Sequence, residues 1–223
     1  MHDGKVKSHQ HEDPAKACNT QTTEERLVSP GVTVPRLAAI RIAEDTPTDQ
    51  LLLSVVHALQ AEGRSVAGFI QCKGRKDASG HAEMMLQDIV SGRRICISQP
   101  LGRGSRGCRL HPGAVAGIAG PFIEAIETEP DLLVLNRFGK GESEGQGFRS
   151  VLEKAYLLGI PVLTSVKPAY LDAWQEFAGN CSTLLPPSRE TLLDWSRTVV
   201  GSSPANSGDM QHSTGVHSAT RFV

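Results

Sequence analysis

Apolar residues in this chain follow two rhythms: short unbroken runs, and stretches in which they recur every three or four positions. The runs at 37–42, 65–72, 132–136 and 161–166 read as buried strands of a parallel sheet, which is covered on both faces. Between the first two, residues 49–62 place Leu52, Leu53, Val56 and Leu59 on one helical face. Gly63 ends that helix, and Thr46 and Thr48 are expected to cap its start. A second helix starts near Pro112, a favoured first-turn position for proline, and runs to about 129. Residues 147–158 form a third, ended by Gly159. Pro168 opens a fourth, which turns Tyr170, Leu171, Trp174 and Phe177 inward and stops at Gly179. Residues 182–185 read as a last strand, and Ser188 as the N-cap of a closing helix through Arg197.

One segment breaks the alternation. Residues 84–90 and 94–98 flank Ser91-Gly92, a turn signal for a β-hairpin. The element order therefore predicts an α/β domain: a mostly parallel sheet with helices on both faces, plus a hairpin insertion.

Composition narrows the function classes. Residues 1–34 and 200–223 are polar and bury too little apolar surface to offset their ordering entropy. They are expected to be disordered tails around a single domain at 35–199. A net charge of −1 exerts no global pull toward nucleic acid or anionic membrane. An aromatic content of 4% argues against stacking platforms for single strands. No run of 18 apolar residues or signal-peptide core is present, so a cytoplasmic location is expected, without membrane or nucleic-acid partners. The five cysteines are odd in number and widely spaced, which argues against a disulfide framework. Cys72, Cys96 and Cys181 fall in or beside strand patterns and read as packing residues.

Candidate chemistry collects where strands end. The run at 132–136 stops abruptly in Asn136, Arg137, Gly139 and Lys140, at the carboxyl edge where open α/β sheets bind ligands. A second cluster, Gly102-Arg-Gly-Ser-Arg-Gly-Cys-Arg109, sets Arg103, Arg106 and Arg109 among small residues. Glycines let backbone N–H groups turn inward as an anion nest, arginine forks add permanent charge, and the helix starting near Pro112 adds its dipole. The expected ligand-binding set is Arg103, Arg106, Arg109, Arg137 and Lys140, with Asn136 as a neutral hydrogen-bonding partner. The bland alternative is a solvated basic loop.

Other candidates are weaker. Cys108 and His111 form Cys-x-x-His, half of a zinc site with no second pair at suitable spacing. They are also the only candidates for thiol catalysis, and the structural alternative has His111 capping the helix. Glu142 and Glu144 are spaced to chelate a hard cation, or to sit as exposed acids at a helix start. His57 lies on the polar side of its helix, and the tail histidines are too dispersed to form a site.

Two strings carry a family resemblance. Leu86-Gln-Asp-Ile-Val-Ser-Gly92 resembles the hairpin of the small P-loop nucleoside-triphosphatases. Leu133-Val-Leu-Asn-Arg-Phe-Gly-Lys-Gly-Glu142, with Gly147-Phe-Arg and Gly159-Ile-Pro-Val-Leu-Thr164, resembles their Walker-B strand, next helix and next strand. More specifically, residues 37–187 resemble an uncharacterised bacterial family often encoded beside molybdate-uptake genes, through Gly107-Cys-Arg-Leu-x-Pro-Gly113 and Asn136-Arg-Phe-Gly-Lys140. Against the nucleoside-triphosphatases, the Walker motifs are degenerate. The first turn, Ala43-Glu-Asp-Thr-Pro-Thr-Asp49, has no glycine and no lysine, whereas a P-loop needs both. Asn136 stands where a metal-binding Asp belongs, and Arg137 where hydrolysis uses a carboxylate.

The chain is therefore expected to be a non-hydrolysing module for a small anion, either nucleotide-like phosphate or an oxyanion such as molybdate. Molybdate is implied only by the resemblance, and no cofactor is expected. The alternatives are a nucleotide-dependent phosphotransferase or hydrolase, Cys108 thiol chemistry, and a regulator that binds a protein partner of unknown identity.

Overall fold

The computed structural model describes residues 34–43, 46–76, 82–99 and 109–201. Arg103, Arg106 and Cys108 lie outside these residues. The chain forms β1 (Leu37–Arg41), α1 (Thr48–Ala61), β2 (Val66–Lys76), β3 (Ala82–Asp88) and β4 (Arg94–Cys96). It continues through α2 (Pro112–Ala125), β5 (Leu132–Leu135), the short α3 (Lys140–Ser143), α4 (Arg149–Leu157) and β6 (Val162–Val166). α5 (Leu171–Ala178), β7 (Ser182–Leu185) and α6 (Arg189–Gly201) complete it.

The seven strands make one sheet in the order β4-β3-β2-β5-β6-β1-β7. β2, β5, β6, β1 and β7 are parallel, and the β3–β4 hairpin pairs antiparallel onto β2. The fold is the expected α/β architecture with its hairpin. β5 shows why unbroken apolar runs occur here. Leu133 and Leu135 face a core shared with Phe122 and Phe148, while Leu132 and Val134 face a second core beneath α1 and α6. Every position of this strand is buried, so no polar residue fits until it ends. Among the described residues, no helix is long and apolar enough to cross a membrane.

Several boundaries depart from the sequence pattern. β2 runs to Lys76 rather than stopping at 72, because antiparallel pairing with β3 sustains the polar stretch through a register shift between Lys73 and Lys76. α2 ends at Ala125 and tightens into a 3-10 turn, Ile126–Thr128. α6 extends to Gly201 rather than ending at Arg197, and Val34 packs against the core. Thr46 and Thr48 do not cap α1. Its N-cap is Pro47, the Thr46 hydroxyl accepts from Ala43 N–H at 3.1 Å, and the buried Thr48 hydroxyl donates to Thr46 C=O.

Gly68 fixes the closest approach inside the sheet. Its φ is +131°, and a Cβ there would run into the carbonyl of Val134 on β5. Gly68→Ala is expected to destabilise the domain by about 3 kcal/mol or more, since backbone rather than a side chain must yield. Thermal unfolding followed by circular dichroism measures this; a change below about 1 kcal/mol would show that the sheet relaxes around the methyl group.

α1 and α6 are also tied across the surface. Arg197 Nη2 lies 2.6 Å from Glu62 Oε1, and this hydrogen bond holds the Glu62 carboxyl below its ordinary pKa and raises that of Arg197. For a depressed carboxyl, the stabilisation is fully present above the unfolded-state pKa and is lost as pH falls through the lower folded value. Both groups are exposed, so the effect is small and screened by salt. Arg197→Ala is expected to reduce stability at neutral pH more than in acid, where Glu62 is protonated. Melting curves across the acid range, at low and high salt, check the sign.

Candidate functional site

The site begins where β5 stops. After Leu135 the chain does not turn back; it continues beside β6 with a one-residue slip in register. Phe138 forms a parallel bridge to Val166, and its N–H donates to Ser165 C=O at 2.8 Å. The Ser165 hydroxyl donates to the Asn136 carbonyl at 2.5 Å. The Phe138 ring is fully buried, edge-on to Trp174 at 5.3 Å between centroids and stacked on Phe177 at 5.7 Å. Backbone and ring together fix residues 136–138 on the carboxyl edge of β5 and β6.

Asn136 is buried there, at 7% exposure, and neither its Nδ2 nor its Oδ1 has a hydrogen-bond partner. The next residue contributes a second orphan: Arg137 Nε is buried and unpartnered. On the adjacent strand, the fully buried Thr164 hydroxyl is also unpartnered. Native interiors satisfy nearly all such groups; Asp49, Trp174 and Ser196 each carry one such atom elsewhere, and among the described residues Asn136 is the one with two.

Lys140 opens the short α3 with its side chain exposed, and its ammonium lies 3.7 Å from Glu144. Both candidate acids are therefore engaged. Glu142 is buried and accepts from Gly139 N–H at 2.9 Å and Phe148 N–H at 3.0 Å, one through each carboxylate oxygen. It does what the third residue of a capping box does, bonding back to the N-cap N–H. A Cβ on Gly147, whose φ is +63°, would collide with Glu142 Oε1. Among the described residues, no group of three or more His, Cys, Asp or Glu side chains could hold a metal ion.

Arg109 stands elsewhere on the same edge. Its C=O accepts from Gln99 N–H just beyond β4, and Ile97 N–H there donates to Met84, the partner of Lys73 on β2. β4 is separated from β5 by two strands, and Lys73 lies well beyond Phe69, which is level with Leu135. At about 4.8 Å per strand and 3.3 Å per residue, the Arg109 and Asn136 backbones are roughly 20 Å apart. The structure thus brings Asn136, Arg137 and Lys140 together and sets Arg109 apart from them. His111 is the N-cap of α2, its Nδ1 accepting from Ala114 N–H at 3.0 Å. Cys72 and Cys96 are free thiols, whereas Cys181 is disulfide-bonded, which the packing role expected for it did not include.

The sequence pattern missed two features of the site. Thr164 looked like an ordinary strand residue, although a hydroxyl inside an otherwise apolar run was the available signal. Glu142 looked like a surface acid, although Gly139 three residues before it matches the spacing of a capping box. Exposed His57 lies beside Cys72, Gln60 and Gln87 at a cavity of about 60 Å³, far below the roughly 300 Å³ of a small-molecule pocket.

Glu142→Ala is expected to cost about 1–3 kcal/mol by leaving two backbone N–H groups unsatisfied, and Glu142→Gln less, because one acceptor survives. Adding magnesium or calcium is expected to leave the melting temperature of the unsubstituted protein unchanged. A metal-dependent shift abolished by Glu142→Gln would instead make Glu142 a ligand.

Comparison with known proteins adds three findings. The chain is 34% identical over 190 residues to the Molybdenum import ATP-binding protein ModC 2 of Bradyrhizobium diazoefficiens, an alignment covering 81% of this chain. It spans only 21% of the length of that relative. Among solved structures, THEP1 from the hyperthermophile Aquifex aeolicus aligns with a TM-score of 0.49 at 12% identity, over 71% of this chain and 94% of that one. The model of the family described as protein of unknown function (DUF2478) matches residues 37–195, which takes in every described strand and the site, and the chain belongs to that family.

Proposed function

We propose that the chain is a small-anion-binding module that holds a tetrahedral oxyanion, free or as the phosphate of a nucleotide, at the carboxyl edge of β5 without hydrolysing it. The observation that carries this reading is the buried, unpartnered amide of Asn136, followed by a permanently charged guanidinium whose Nε is also unpartnered. Arginine supplies charge-assisted hydrogen bonds to oxyanions, and burial strengthens them.

Three features support binding over hydrolysis. The turn after β1 contains Thr46 and Pro47 in place of a glycine-lysine cradle. The first N–H groups of α1 are used internally, Thr48 N–H on Thr46 and Gln50 and Leu51 N–H on Pro47. Glu142, the first carboxylate after the strand tip, has both oxygens occupied and is not placed to activate water.

The molybdenum-import relative brings molybdate into the set of anions to test, and with it a role in molybdenum handling. Because this chain covers about a fifth of that protein, ATP binding is not carried over to this domain. Calorimetric titration of the full chain with phosphate, sulfate, molybdate, tungstate and nucleotides is expected to show saturable binding of at least one. Arg137→Ala is expected to weaken it tenfold or more, about 1.4 kcal/mol. Absence of binding to all of them at millimolar concentration overturns the proposal. Nucleotide turnover that survives purification and disappears in Arg137→Ala would make the site an enzyme instead.

A further inference from the structure

Away from the strand tip, two soft donors border one cavity beside α1. We infer that Cys72, His57 and Met85 form a binding site for a soft monovalent cation, copper(I). The site stands independently of the anion-binding reading above.

α1 turns Leu53, Val56, His57 and Gln60 toward β2 and β3, the i, i+3, i+4, i+7 stripe of one helical face. Ile70 of β2 packs in the core beneath α1, and strand alternation puts Cys72 on the same side. His57 and Cys72 both line the cavity of about 60 Å³ described above. That space is small for an organic ligand, but it exceeds the roughly 10–15 Å³ that one water requires and so accommodates an ion. Cys72 is a free thiol and only half-buried, within reach of an ion from solvent.

Met85 supplies the third donor. It pairs directly with Cys72 in the antiparallel ladder, so both side chains leave the sheet on one face, with Cβ atoms about 4.5–5.5 Å apart. Met85 also leans onto β2: a Cβ on Gly74, the next same-face position of that strand, would meet Met85 Cγ at 2.9 Å. Metal–sulfur bonds of about 2.3 Å bridge sulfurs up to about 4.6 Å apart, which side chains starting this close can satisfy. Cys96 pairs with Met85 from the other side. It is about 9.6 Å from Cys72 across two strand spacings, too far to share the ion.

The donor set chooses the cation. Thiolate, thioether and imidazole together suit copper(I), whereas hard cations take oxygen and structural zinc takes four donors without a thioether. Among the described residues, the other polar lining is the Gln60 and Gln87 amides, with no carboxylate. On binding, the Cys72 thiol gives its proton to solvent, and the thiolate cancels the ion's single charge. A divalent ion would leave a charge uncompensated against Leu53 and Ile70.

The test titrates the full chain with copper(I), in anaerobic buffer, against a colorimetric copper(I) chelator. Tight binding is expected to be lost in Cys72→Ser, weakened about tenfold or more in Met85→Leu and His57→Ala, and held within about twofold in Cys96→Ser. X-ray absorption at the copper edge is expected to show nitrogen and sulfur bonded to the metal, with the nitrogen gone in His57→Ala. On the unsubstituted protein, silver(I), a redox-inert substitute, is expected to shield Cys72 from alkylation ahead of Cys96, read by peptide mass spectrometry.

Copper(I) binding that survives Cys72→Ser overturns the inference. So does alkylation of Cys72 that silver(I) leaves unchanged, a result that holds whether or not any variant folds. Zinc bound as tightly as copper(I), or copper(I) affinity unchanged in Met85→Leu, removes the thioether from the site and overturns it as well.

Discussion

The hydrogen bond from Phe138 N–H to Ser165 C=O decides how the central strand ends, and the carboxyl edge is organised around it. A buried parallel strand ordinarily leaves its sheet into a loop. Here the chain instead spends three more residues, 136–138, along the neighbouring strand, with the Phe138 ring driven into the aromatic cluster of Trp174 and Phe177. Burial of those rings favours this continued pairing, at about 25 cal/mol per Å² of apolar surface removed from water. The polar residues at 136 and 137 are carried along and lose solvent as a consequence. Their orphaned atoms follow from the packing of the phenylalanine that comes after them.

Most of the architecture was legible because apolar content and position agree. Leu132 to Leu135 could only be a doubly buried strand, and Leu52, Val56 and Leu59 could only be one face of a helix. Legibility failed where pairing partners rather than residue type decide structure. The stretch from Lys73 to Lys76 is strand because β3 lies beside it, and nothing in four polar-rich residues announces that neighbour. Thr46 failed differently: its hydroxyl has the chemistry of a cap but closes the turn on Ala43, since Pro47 takes the cap position.

The site divides along the same line. Asn136, Arg137 and Lys140 were readable as a strand tip, because a polar residue ending an apolar run must emerge at an edge. Their separation from Arg109 was not readable, since sequence spacing says nothing about the two strands that intervene in the sheet. Membership of a family described only as of unknown function leaves the chemistry to the residues themselves. Those residues distinguish sharply between Glu142, whose two oxygens are both committed to backbone, and Asn136, whose two polar atoms are both open.

Gly147 and Glu142 occupy space that only one of them can fill. The carboxylate spans from Gly139 to Phe148 because no methyl group stands in its way, and so the start of α3 is latched to the start of α4. A side chain at 147 would press on the carboxylate at 142, and the left-handed backbone there would strain it even in a chain without that acid. Such a chain would lose the latch that holds Gly139, and with it the fixed exit of the strand tip. Divergence at a glycine with no polar side-chain atom of its own would therefore reach the binding edge, through the room it leaves for another residue's oxygen.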